Sequence, residues 1–341
     1  MAAQLRNSFL LVAAVMGSIL TALLIAEVTL RWRDMADPPA FAPDARYGYL
    51  MRPNQSVATH GYRFRINRFG QRGDDFKMPK LAGDYRVFFL GDSVTYGGGT
   101  TPDPSLFVNR VASSLSGWLQ RPVDAVNASA PNWGLGNMFS YVQTAGLFDA
   151  DLLVWVIPSC DFRRPTTSLS DDIGLPSTKP PLRLAFIFRV AWLYAKWAVA
   201  SLRQHLRPSH DRLAAEGSSS QILTHNLAVL RQGIGWIRGR GLLVAVVLVP
   251  SGTPAGTGYN RPGDFQAFHA VAESSSVPIL DITSALAGRP GYFIDGIHLN
   301  VQGNKVVADA IATFLEQTYF RTAASTRASS VSQASLVTTG N

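Results

Sequence analysis

Three short runs constrain this chain more than anything else in it: Tyr85 to Leu90, Leu152 to Ile157 and Leu242 to Val249. Each is almost continuously apolar, rich in β-branched and aromatic residues, and closed by glycine or proline. Alternating apolar and polar residues would mean a strand with one wet face. An unbroken run means a strand covered on both faces, as in a parallel sheet held between two layers of helix. Val123 to Asn127 and the short Val277 to Asp281 add two further strands. Helical stripes fall between them: Leu106, Phe107, Val111 and Leu115; Met138, Val142, Ala145 and Phe148; Gln221 to Arg240; Phe265 to Val271; and Val306, Val307, Ala310, Ile311 and Phe314. The expected fold class is α/β, a three-layer α/β/α sandwich with a parallel sheet of about five strands.

The first of these strands runs straight into Gly91-Asp92-Ser93-Val94-Thr95-Tyr96-Gly97, and Asp103-Pro104-Ser105 then signals a helix start. Ser93 is therefore expected at the carboxyl end of a central strand, where open α/β sheets bind ligands. A serine hydroxyl is hardly ionised at neutral pH and needs a base to become a nucleophile. Asp295-Gly296-Ile297-His298, just before the last helical stripe, offers one. His298 can accept the Ser93 proton, and Asp295 can hold the imidazole in the right tautomer and stabilise its cation.

Gly-Asp-Ser after a first strand, Asp-x-x-His before the last helix, and Leu299-Asn300 with Gly303 after it resemble the SGNH/GDSL hydrolase superfamily. The resemblance covers roughly Asp84 to Thr318. It implies a flavodoxin-like sheet, hydrolysis of acyl esters without a cofactor or metal, and the triad Ser93, Asp295 and His298. It also implies an oxyanion hole made of the Ser93 N–H, a glycine N–H after the second strand and an asparagine amide after the third. Here the sequence departs from the family. Asn132 stands at the glycine position, with Gly134 the alternative if the loop register differs, and Cys160 stands at the asparagine position. Asn tolerates left-handed backbone better than most residues. A thiol is a weak donor beside an amide.

Between Arg6 and Glu27 there is no charged residue, an interval close to the ~20 residues that cross a bilayer as a helix. No small-x-small cleavage site follows it, so an uncleaved signal anchor is expected over residues 7–26. Arg31 and Arg33 beyond it lean towards a cytoplasmic domain. The resemblance leans towards a periplasmic or extracellular one, and that orientation is taken here. Asp37 to Pro43 reads as a linker, and Tyr47 to Phe76 as a short strand or hairpin laid on the main domain. The stretch from Ile66-Asn67 to Gly73 is similar to the leader segment of membrane-linked bacterial members of the superfamily. Leu182 to Arg207 is a long apolar helix carrying Arg189, Lys196 and Arg203 at heptad spacing. Two readings stand: an interfacial helix at residues 182–207 touching membrane lipid, or a helix packed on the core with its cations in water.

The expected organisation is an anchor and linker at 1–36, a small extended or hairpin segment at 37–83, a hydrolase-like domain at 84–320 with a helical insertion at about 162–220, and a disordered tail at 321–341, rich in Ser and Thr. The charge balance of +8 fits an anionic surface. Without a zinc finger, RNP motif or lysine-rich tail it does not point to nucleic acid. The single cysteine rules out an intramolecular disulfide. Neither a Walker A loop nor a His-Glu-x-x-His helix is present. The functions in view are a serine esterase or deacylase acting on O-acyl groups of a carbohydrate or cell-surface polysaccharide, an O-acetyltransferase using the same triad, and a non-catalytic anchored scaffold. The carbohydrate is implied by the resemblance alone.

Overall fold

The computed structural model describes residues 2–171, 174–205, 209–253, 256–287 and 289–321. The tail expected to be disordered lies outside the described residues from 322 onward. The chain opens with the long helix α1 (Ala2–Trp32). Two antiparallel hairpins follow, β1 (Phe41–Asp44) with β2 (Gly48–Met51), and β3 (Gln55–Thr59) with β4 (Tyr62–Ile66). The stretch read as a linker thus contains a strand. The reason is packing: Phe41 is wholly buried against Tyr49, which prolines around it do not prevent at a two-stranded edge.

The α/β part runs β5 (Tyr85–Gly91), α2 (Ser93–Tyr96), α3 (Phe107–Leu119), β6 (Val123–Ser129), α4 (Leu135–Ala145), β7 (Leu152–Pro158), α5 (Arg183–His205), α6 (Ser209–Arg238) and β8 (Leu243–Val249). It ends with a small hairpin, β9 (Ser251–Thr253) and β10 (Gly256–Gly258), then α7 (Pro262–Ser274), β11 (Ile279–Asp281), α8 (Thr283–Leu286) and α9 (Val301–Leu315). Five strands form one parallel sheet in the order β11-β8-β7-β5-β6. Numbered within the sheet, this is the flavodoxin-like order 2-1-3-4-5 read from β6. The chain leaves β5 to either side, so the carboxyl ends of β5 and β7 border the crevice where the strand order reverses.

The unbroken apolar runs are explained by two cores. Phe88 and Leu90, Leu153, Trp155 and Ile157, and Val244, Val246 and Leu248 face one core, with α4, α6, α7 and both hairpins. Val87 and Phe89, Leu152, Val154 and Val156, and Ala245, Val247 and Val249 face the other, with α3, α8 and α9. Each such side chain contributes about 1.5–3 kcal/mol by leaving water, and both faces of the three central strands collect that gain. Two boundaries moved. Phe148 lies beyond α4 in left-handed backbone, because Gly146 ends the helix. And α6 begins well before Gln221, so the inserted region is continuous with a helix of the sandwich.

Candidate active site

Gly91 ends β5 because nothing larger fits. A Cβ there would lie 2.0 Å from Thr95 Oγ1, which folds back over the strand end. Asp92 then caps the single turn of α2, its Oδ1 accepting from the Val94 N–H at 2.8 Å. The cap lifts Ser93 out of the sheet at the start of that turn. Its side chain is buried but faces the crevice.

The base comes from the far end of the chain. The segment before α9 is closed by an isolated bridge between Phe293 and Leu299 and by the Gly252 N–H donating to the Gly296 carbonyl at 2.8 Å. Asn300 caps α9 through Gly303 at 2.9 Å, which fixes where the helix begins. Within this loop Asp295 Oδ1 accepts from the N–H groups of Ile297 and His298, at 3.1 and 2.9 Å. Asp295 Oδ2 lies 2.7 Å from His298 Nδ1, and His298 Nε2 lies 2.9 Å from Ser93 Oγ. The carboxylate places the imidazole proton on Nδ1 and leaves Nε2 free to accept from serine. Partial burial works to raise the Asp295 carboxyl, but the hydrogen bonds from His298 and that residue's charge hold it below its ordinary value. An ionised Asp295 is what an orienting carboxylate must be.

Asn132 adopts a left-handed backbone, φ 59°, as its expected place in a glycine-like turn requires. Cys160 sits in a single 3-10 turn that follows β7. Its Sγ is 3.7 Å from Asp161 Oδ1, and one ligand-type atom from each of Asp92, Cys160 and Asp161 falls within 4.8 Å of the others. Burial first, then the charges of Asp161 and Asp92, push the thiol upward, so it remains a neutral, weak donor.

Sequence reasoning missed the cation of this corner. Arg164 donates through Nε to Asp161 Oδ1 at 2.6 Å and through Nη1 to Asn132 Oδ1 at 3.3 Å. Asp161 is wholly buried, and its Oδ2 finds no hydrogen-bond partner among the described residues. Burial and the nearby Asp92 drive its carboxyl well above the ordinary value, against the pull of Arg164. A signal existed: an acid predicted at a buried strand end needs a cation, and Arg163-Arg164 follows it after Phe162. The neighbouring Arg163 instead forms a two-pronged pair with Asp264 on α7, at 2.6 and 2.8 Å.

A cleft of about 380 Å³ runs beside Cys160 and Asp295, and Ser159, Phe162, Arg163, Asn260 and Asp264 contribute to its walls. It mixes flat aromatic surface with hydroxyl, amide and charged groups.

No protein-family model matches this chain, and no curated protein matches it. Among solved structures it is similar to Axe2, an acetylxylan esterase from Geobacillus stearothermophilus, at 14% identity over 68% of this chain and 94% of that one, with a TM-score of 0.42. It is similar to the lipase/acylhydrolase from Enterococcus faecalis at 13% identity over 68% and 96%, TM-score 0.42. It is also similar to a two-domain esterase active on acetylated mannans, at 14% identity over 69% of this chain and 50% of that one, TM-score 0.42.

Proposed function

We propose that this protein is a serine hydrolase acting on acyl esters, held to a membrane by α1. One observation carries the reading: Ser93, His298 and Asp295 form a continuous relay, 2.9 and 2.7 Å long at its two links, across 205 residues of sequence. Two motifs drawn together by chance would not also present the correct imidazole nitrogen to each partner. In the reaction, Ser93 Oγ attacks the ester carbonyl while its proton passes to His298 Nε2. His298 returns that proton to the departing alcohol oxygen. Water, activated by the same imidazole, then releases the acid and restores Ser93. Asp295 stabilises the imidazolium formed in both halves. Asn132 and Cys160, with the Ser93 N–H, are the proposed oxyanion donors.

The alcohol part of the ester is proposed to be a sugar or other polyol. The mixed aromatic and polar cleft beside Cys160 and Asp295 supports that reading. The same cleft supports acyl transfer as a second reading, since an acceptor hydroxyl bound there would take the place of water. The unbroken relay favours either enzyme over a non-catalytic scaffold.

The test is covalent. A fluorophosphonate probe labels Ser93 in the full chain, and Ser93→Ala abolishes labelling and lowers ester turnover by about 10⁴-fold or more. Labelling that persists in Ser93→Ala defeats the assignment. Product analysis with and without a sugar acceptor separates hydrolysis from transfer.

A further inference from the structure

A second cleft, of about 640 Å³, meets the catalytic turn at a different place. Its walls are apolar: Leu30 from the end of α1, Phe41 from β1, Leu175 from the loop before α5, and Phe186 and Val190 from α5. Tyr96 and Gly98, just after Ser93, also line it. Gly98 brings the cleft to the reacting groups. Its backbone is left-handed, φ 58°, and a Cβ there would lie only 3.5 Å from His298 Cδ2. No side chain of Gly98 therefore stands between the cleft and the imidazole.

The walls are held in place by an unusual joint. Glu27, near the end of α1, accepts from the first N–H groups of α5, Arg183 at 3.1 Å and Leu184 at 3.0 Å. Arg183 returns the contact, its Nη1 donating to the Leu30 carbonyl at 2.7 Å. A carboxylate on two free N-terminal amides is a favourable helix cap. It fixes α5 against the one described helix long and apolar enough to cross a membrane. Outside the cleft, both helices turn large apolar side chains outward: Val28 and Trp32 on α1, Phe188 and Trp192 on α5. Soluble surfaces rarely gather such a patch, whereas a bilayer surface requires one. The cleft is thus continuous with the surface that would meet lipid, it has the size of a ligand site, and its inner end is Gly98, which borders the His298 ring.

We propose that this cleft receives the acyl chain of a long-chain ester drawn from the bilayer. The substrate of Ser93 is then a membrane lipid ester, with its acyl chain between α1 and α5 and its polar alcohol part in the cleft beside Cys160. This rests on the esterase reading above. Hydrolysis by the relay consumes one water and yields a fatty acid, retained by the membrane, and a free polar alcohol. The interfacial reading of residues 182–207 acquires a purpose: α5 is the wall across which the lipid enters. The side chain of Arg203, part of the expected stripe, lies outside the described residues.

The experiment uses the full chain in lipid nanodiscs with p-nitrophenyl acetate and p-nitrophenyl decanoate. Each methylene buried strengthens binding by up to about fourfold, so kcat/KM for decanoate should exceed that for acetate by about tenfold or more. Val190→Trp, which fills the cleft, should remove most of that advantage and leave acetate turnover unchanged. Val190→Ser should lower decanoate turnover in the same direction, and it keeps the test standing if the larger residue does not fold. Acetate cleaved as well as decanoate, or both esters equally impaired by Val190→Ser, overturns the cleft while leaving the esterase intact. A photoreactive decanoyl glyceride embedded in the nanodisc should cross-link to α5 in the Ser93→Ala chain. Cross-linking only by the soluble ester overturns the bilayer source. Failure of wild type to cleave either ester, with Ser93 unlabelled by fluorophosphonate, refutes the esterase reading and this proposal with it.

Discussion

At the scale of single residues, the proposed oxyanion corner opposite the relay is the place where turnover can be tuned. In the proposed assignment Cys160 stands where an amide would donate to the developing oxyanion, and burial with the nearby acids keeps its half-buried thiol neutral. The surroundings would welcome an amide. Asp161 Oδ2 is a buried carboxyl oxygen with no partner among the described residues, so an amide could bond there through one of its polar atoms while an N–H faces the crevice. Removing a full amide donor from an oxyanion hole costs about 3–4 kcal/mol in the transition state. Cys160→Asn should therefore raise kcat by about tenfold, with KM little changed, because the donor acts mainly on the transition state. Steady-state kinetics with melting temperatures measured alongside check this. A less stable variant with no gain in kcat would mean that the thiol is only packing, as buried cysteines often are. The meeting of Ser93, Asp295 and His298 was legible in the sequence because their motifs are local. Arg164 was missed: the acid at the strand end called for a cation, but only the fold chooses Arg164 over Arg163 as its partner.

At the scale of elements, Arg72 ties the hairpin segment to the catalytic turn. The sequence presents it inside Arg72-Gly73-Asp74, in the segment read as a short strand or hairpin laid on the main domain. The structure buries it completely. Its Nε donates to Asp103 at 2.8 Å, Nη1 to the Tyr96 carbonyl at 2.8 Å and Nη2 to the Thr101 carbonyl at 2.5 Å, and the guanidinium lies 4.0 Å from the Phe64 ring centre. These bonds bracket the glycine-rich loop that includes Gly98. Arg72→Met keeps the stem and removes every donor. It should lower stability by about 3 kcal/mol, the lower end for breaking a buried ion pair, since Asp103 keeps partial access to water. It should also reduce kcat, because the loop against His298 loses its clamp. Thermal unfolding and ester turnover of the variant measure both. An unchanged melting temperature would show the clamp to be idle.

At the scale of the whole molecule, the two ends of the design meet at Glu27. The helix α1 has 31 residues, about 46 Å at ~1.5 Å per residue, against a hydrocarbon core of ~30 Å. It therefore has length to cross and still reach the α/β part. We expect the full chain to remain with membranes through carbonate washing, as checked by fractionation. Release by salt alone would show that α1 does not insert. Glu27→Gln should leave that retention intact, since insertion rests on the uncharged span of α1 and not on its contact with α5. The expected periplasmic or extracellular placement of the domain belongs to the same proposal.

The sequence alone determined the sheet, the candidate residues Ser93, Asp295 and His298, and the long apolar first helix, because each is written in neighbours. A strand covered on both faces must be continuously apolar, a serine nucleophile needs its capped turn, and a bilayer span excludes charge for about twenty residues. The tertiary structure alone decided what surrounds them. Arg72 meets Asp103 across 31 residues, Arg164 meets Asn132 across 32, and Glu27 meets Arg183 across 156. Such contacts leave no periodicity in the chain, since burial at a given point depends on every element that closes over it. The cleft between α1 and α5 is of this kind. Its walls come from segments whose apolar residues could equally have packed on the core, and only their arrangement brings the cleft to Gly98, beside His298.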